Sequence, residues 1–158
     1  MKYYAVYDTN VLISSLLTKH RDSATAKVVD AIASKTIIPL YNQSVLDEYN
    51  DVLHRPKFKF SEEKINKLLN IIKAFGKAVE PTPTGEILPD MDDLVFYEIV
   101  MEKRNDDAYL ITGNIKHFPN REYIVTPSQM IEILADSCKQ CVFCIHNRIR
   151  VQHDIQLY

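Results

Sequence analysis

Four short runs rich in β-branched and aromatic residues set the frame: YYAVY at 3–7, TIIPLYN at 36–42, AYLIT at 108–112 and YIVT at 123–126. Between them lie segments whose apolar residues recur at helical spacing. Strands that alternate with helices need crossover connections, and crossovers build a parallel sheet with helices on both faces. The expected fold class is α/β, a three-layer α/β/α arrangement around a central, mainly parallel sheet.

The local signals follow from that frame. After Tyr7 the apolar run breaks at Asp8, Thr9 and Asn10, and Val11, Leu12, Leu16 and Leu17 then predict a helix. Residues 24–34 predict a second helix, with Ala26, Val29, Ile32 and Ala33 on its apolar side. Pro39 makes the second strand imperfect, since it donates no ladder hydrogen bond. Ser44 with Asp47 three residues later has the form of a capping box, opening a helix that Pro56 stops. A further helix is expected from Ser61 to Gly76, forming a helical hairpin with the one before it. EPTPTGEILPD at 80–90 is a loop by its Pro and Gly content, followed by a helix from about Asp92 to Arg104 with Phe96, Ile99 and Val100 inward. A last strand, a Pro at a helix start and an amphipathic helix complete the unit.

A chain of 158 residues, 46% hydrophobic, is of one-domain size and can bury a real core. The formal net charge of -2 gives no overall basic field, so any nucleic-acid contact must use local basic patches. No stretch is long and apolar enough to span a bilayer and no leader pattern precedes the first strand, so a soluble, cytoplasmic protein with no membrane partner is expected. Residues 1–136 form the expected domain and 137–158 an extension. Its CKQCVFCIH places Cys138, Cys141 and Cys144 at C-x-x-C-x-x-C with His146 nearby. That set is chemically capable of holding Zn²⁺, although reduced, partly packed thiols are the plainer reading. The alternation of Ile149, Val151 and Ile155 beyond it fits an edge strand or pairing with a second subunit.

The polar breaks fall where parallel sheets collect ligands, beyond the carboxyl ends of the strands. Asp8 follows the first strand, Glu48 sits in the helix after the second, and Asn114 follows the strand ending in Thr112. Asp90, Asp92 and Asp93 are distant in sequence, yet this topology can bring them to the same edge. Each acid alone has an ordinary alternative as a helix cap or a solvated helix residue. Gathered together they would repel unless a cation were present, and hard oxygen ligands select Mg²⁺ or Mn²⁺.

Four ordered blocks, VYDTNVLISSLL, SVLDEYNDVLHRPKF, PDMDDLVFYEIV and DAYLITGNIKHFP, with YIVTPSQMIEIL closing the domain, resemble the PIN domain family. The likeness is strongest to the bacterial group of toxin components from toxin-antitoxin systems. It implies a small α/β fold and a metal-dependent endoribonuclease using one or two Mg²⁺ or Mn²⁺ ions. It makes Asp8, Glu48 and Asp93 the acidic metal ligands, with Asp90 and Asp92 as auxiliary acids. Asp93 is preferred to Asp92 because the family's acid stands three residues before an apolar helix position, here Phe96. Thr9, Asn10 and Thr112 match supporting polar positions. Relatives often carry an Asp after the threonine and glycine, where this chain has Asn114, a neutral amide that can still ligate through its carbonyl or orient a water. The resemblance also implies RNA as substrate, an antitoxin protein as partner and a homodimer.

Substrate contact calls for positive charge near the acids. Arg55 in RPKF, Lys116 and His117 are the first candidates, followed by Lys19, Arg21, Lys57 and Lys59. For His117 a packing role is the stronger alternative. Two other functions are open. A PIN fold kept as an RNA- or protein-binding module is compatible with Asn114. A phosphatase using Asp8 as a covalent nucleophile needs a second Asp where Asn10 stands.

Overall fold

The computed structural model describes residues 2–137. Five strands form one sheet: β1 (Tyr3–Tyr7), β2 (Ile37–Tyr41), β3 (Lys77–Ala78), β4 (Tyr109–Ile111) and β5 (Ile124–Val125). Their order is β3-β2-β1-β4-β5 and every pairing is parallel. Between them run α1 (Thr9–Leu17), α2 (Ala24–Ala33), α3 (Gln43–Leu53), α4 (Glu62–Phe75) and α5 (Leu94–Glu102). A sixth helix, α6, occupies 127–137 within the described residues. The α/β/α architecture is thus the one that the alternation of runs demands.

The strand order positions the site. From β1 the chain moves one way to β2 and β3, then returns past β1 to β4 and β5. Right-handed crossovers running in opposite directions place their helices on opposite faces and open a crevice between β1 and β4, at their carboxyl ends. Asp8 and Thr112 are the residues that follow those two ends.

The core explains why the short strands hold. Ala5, Val6, Ile37, Leu110 and Ile111 are fully buried in the sheet, and Val28, Ile32, Val45, Leu53, Ile65, Ile72, Phe96, Ile99 and Val100 cover it from the helices. Burial on both faces is the reason the strands read as continuous apolar runs rather than alternating ones. Pro39 is accommodated within β2, opposite Ala5 of β1. Its carbonyl lies against Gly76, before the two-residue β3 begins to pair at Leu40. A Cβ on Gly76 would fall 2.7 Å from that carbonyl and against Ile72 O as well, so the close approach of helix end to strand requires glycine.

Helix starts follow capping chemistry. Ser61 accepts from Lys64 N, and Thr126 with Gln129 forms a reciprocal capping box at 2.8 and 3.2 Å. The expected cap at Ser44 is corrected. Asn42 Oδ1 accepts from Val45 N at 2.9 Å, and Asp47 instead takes a hydrogen bond from Gln43 one turn earlier. Asn42 is buried at the strand exit and meets the first free N–H groups of the helix before Ser44 can. Strand β3 was not expected, because its two exposed residues carry no apolar signature and are defined only by their partner.

Candidate active site

Asp8 leaves β1 with its own N–H bonded to Ile111 O at 2.9 Å, which fixes it beside β4, and it caps α1. Only 6% of it is exposed. A carboxylate there must be compensated. Oδ2 accepts from Thr112 Oγ1 at 2.6 Å and from Asn10 Nδ2 at 2.8 Å, while Oδ1 accepts from Asn10 N at 3.3 Å. Asn10 also accepts, through Oδ1, from Gly113 N at 3.0 Å. Its amide therefore ties the turn after β1 to the turn after β4, donating to one and accepting from the other. An ionised Asp at this position could not donate to Asp8.

Thr112 is fully buried and does two tasks: it donates to Asp8 and accepts from Asn114 N at 2.9 Å. The turn that carries Asn114 is thereby fixed to the same hydroxyl that orients the first acid. Gly113 gives the turn its closeness, since a Cβ there would sit 3.1 Å from Asn10 Oδ1.

Glu48 comes from the middle of α3, one residue before Tyr49. The Tyr49 hydroxyl donates to the carbonyl of Tyr7, and its ring stacks on Phe96 of α5 with centroids 6.2 Å apart. This locks α3 and α5 beneath the end of β1. Glu48 Oε1 then accepts from Thr9 Oγ1 at 2.5 Å, so the residue after Asp8 holds the second acid in place.

The third acid stands on a short 3₁₀ turn, Met91–Asp93, whose start is capped by Asp90 accepting from Asp92 N at 3.1 Å. The preceding loop is pinned to α5 by Thr82 N and Thr84 N, which donate to Glu102 and Glu98 at 2.8 Å each. Asp93 is half-buried and its Oδ2 lies 3.0 Å from His117 Nδ1. Ligand atoms of Asp90, Asp93 and His117 all fall within 4.8 Å of one another.

Electrostatics join these groups. Burial raises the pKa of Asp8, opposed by the hydrogen bonds from Thr112 and Asn10. Burial likewise raises Glu48, and the charges on Asp8, Asp93 and Asp92 push it further up. Asp93 is raised by burial first, then by Asp8 and Asp90, with His117 opposing. Three acids from β1, α3 and the turn before α5 thus feel one another's charge.

A family model described as a PIN domain matches residues 4–116, more than two thirds of the chain. The chain belongs to the PIN domain family. Neither a curated protein nor a solved structure matches it. PIN domains are generally metal-dependent nucleases, and the donor set here suits that chemistry: crowded hard oxygen donors, part-buried and mutually repelling, are what a divalent cation relieves.

Within this PIN domain the structure brings together Asp8, Thr9, Asn10, Glu48, Thr112 and the Asn114 backbone, and joins Asp90 and Asp93 to His117. His117 is therefore not a packing residue, as the sequence favoured, but half-exposed and bonded to an acid. Asp92 is exposed and reaches the site through its charge alone. Lys116 is exposed in the same turn as His117. Arg55 stands beyond the far end of α3, 3.6 Å from Asp51, and Arg21 Nη2 donates to both carboxylate oxygens of Asp30 at 2.6 and 2.8 Å. A cavity of about 390 Å³ between α1, α2 and α4, lined by Leu16, Arg21, Val29, Asp30, Lys67 and Ile71 among others, is not lined by Asp8, Glu48, Asp90, Asp92 or Asp93. Sequence reasoning missed Tyr49 and Gly113. A tyrosine directly after a candidate acid and a glycine between two polar turn residues were the signals available. Cys138, Cys141, Cys144 and His146 lie outside the described residues.

Proposed function

We propose that the protein is a metal-dependent endoribonuclease that hydrolyses RNA phosphodiester bonds, acting as the toxin of a toxin-antitoxin pair. The observation that carries this reading is the placement of Asp8 at the switch point of the sheet, with Glu48 tied to its neighbour Thr9, and of Asp90, Asp93 and His117 with ligand atoms within 4.8 Å of one another. Asp8, Glu48 and Asp93 would hold one or two Mg²⁺ or Mn²⁺ ions, with Asp90 as a further donor and Asn114 in place of a fourth acid. A bound ion supplies a nucleophile from water and neutralises charge on the phosphate.

The chain's own residues prepare for that. Thr112 and Asn10 keep both oxygens of Asp8 oriented, and Thr9 does the same for Glu48. His117, held through Nδ1 by Asp93, leaves Nε2 able to carry a proton to or from the reacting phosphate. The antitoxin partner and a homodimer rest on the resemblance.

The test is cleavage of a mixed RNA pool by the purified chain with Mn²⁺, with chelator, and with Asp8→Asn. Cleavage that needs both the ion and Asp8 supports the reading. Equal cleavage by the variant would overturn it, and RNA binding without cleavage would favour a binding module.

A further inference from the structure

The loop between α3 and α4 carries a feature that phosphodiester hydrolysis does not require. Phe58 and Phe60 lie ring on ring, with centroids 5.5 Å apart and planes 9° from parallel. In an extended chain, side chains two positions apart repeat at about 6.6 Å. Here Lys59 between them adopts φ 54°, a left-handed conformation that costs a non-glycine residue, and the turn it makes brings the rings closer. Phe60 packs against the core while Phe58 remains half-exposed, so one ring is an anchor and the other is presented.

The surroundings specify the ligand. His54 to Phe60 reads HRPKFKF and holds no acid. Arg55, Lys57 and Lys59 are exposed. Arg55 is the one of the three with an ion pair among the described residues, a solvated pair at 3.6 Å that a phosphate can replace. Lys57 Nζ sits 4.9 Å from the Phe58 ring centroid. An exposed cation–π contact of this kind is weaker than a nucleobase stacked on an aromatic ring, so a base displaces the ammonium and frees it for a phosphate. The loop also continues directly from the helix that bears Glu48. Six residues of helix rise separate Glu48 from His54 by about 9 Å along the axis.

We propose that the Phe58–Phe60 stack is a base-stacking platform for single-stranded RNA, with Arg55, Lys57 and Lys59 holding the adjacent phosphates. The proposal rests on the nuclease reading for its substrate and adds that the strand must be unpaired, because a base within a duplex has no free face to offer.

The experiment is anisotropy binding of a short labelled oligouridylate to the full chain in metal-free buffer, so that cleavage does not enter. Phe58→Leu and Phe60→Leu keep apolar bulk and lose the ring; each is expected to weaken binding about tenfold, while Phe58→Trp retains it. An abasic strand of equal charge is expected to bind wild type and the leucine variants alike. Lys57→Ala with Lys59→Ala should flatten the salt dependence by roughly 0.7 in log–log slope for each phosphate no longer neutralised. Wild-type affinity in the leucine variants, as expected if the loop serves a protein partner instead, overturns the platform. An equal loss on the abasic strand, or failure of Phe58→Trp to restore binding, does so too. The two readings separate cleanly: platform-dependent binding without Mn²⁺-dependent cleavage removes the nuclease and keeps the platform, and cleavage with ring-independent binding does the reverse.

Discussion

Asp8 and Asp93 address the same site but are held by different means. Asp8 is buried at the end of a central strand, with Asn10 and the fully buried Thr112 meeting both of its oxygens. Asp93 is half-buried on a 3₁₀ turn after a Pro-rich loop, and His117 is the side chain bonded to it. One wall of the site is therefore a product of the core, while the other is set by turns and a single imidazole. The contrast teaches that the two acids are supported differently: the β1–β4 side rests on buried side-chain hydrogen bonds, and the α5 side on turn hydrogen bonds nearer the surface.

Asp8→Ala is the severest way to break the contrast. It removes the proposed first ligand and leaves the Thr112 hydroxyl and Asn10 amide without their acceptor. RNA cleavage should fall at least a hundredfold, and the unpaired donors should cost about 1–3 kcal/mol in urea unfolding. Thr112→Val keeps the shape of the side chain and deletes one donor to Asp8 and the acceptor of Asn114 N. We expect a stability loss of similar size, about 1–3 kcal/mol, with activity reduced about ten- to a hundredfold as for supporting groups around a metal. His117→Asn tests the other wall. Activity should drop about tenfold while unfolding free energy stays within about 0.5 kcal/mol of wild type. If His117→Asn proved as destabilising as Thr112→Val, the two walls would be equally structural and the contrast would vanish.

The smallest effect concerns pH. Asp8, Glu48 and Asp93 all have folded-state pKa values raised, with burial the first cause in each. The folded protein then retains protons that the unfolded chain has already released. Their contribution to stability is full below the ordinary carboxylate range and is lost as pH rises through the folded values. The metal-free protein should show a thermal midpoint contribution that declines from about pH 4 upward. Glu48→Gln, which keeps an oxygen for Thr9, should flatten that decline by a degree or two, and added Mn²⁺ should reverse it near neutrality. A metal-free midpoint independent of this substitution would mean that the acids do not repel as the geometry implies.

Much of this was legible in the chain because burial writes itself into sequence. Strands covered on both faces appear as unbroken apolar runs, and an acid placed directly after one, as at Asp8, stands out against them. Helix ends at Ser61 and Gly76 were readable since each has a local chemical cause. What escaped depended on partners remote in sequence. Asn42 and Ser44 are equally good caps on paper, and only the exit of β2 selects the first. Strand β3 exists because β2 offers it an edge. The bond between Asp93 and His117 links residues 24 positions apart and leaves no mark on either neighbourhood. Arg55, which the family-like RPKF stretch marked as a substrate contact, stands past the end of α3 in the loop that carries the two stacked rings.

The hydrogen bond from Thr112 to Asp8 joins positions 104 apart, across nearly the whole order of elements. Non-local pairings of this kind carry a large loop-closure entropy and slow folding. A ribosome emitting this chain would release α1, α2 and α3, with Asp8 and Glu48 already made, long before the strand that orients Asp8 is available. A chain cut short before β4 would therefore lack the hydroxyl that orients Asp8.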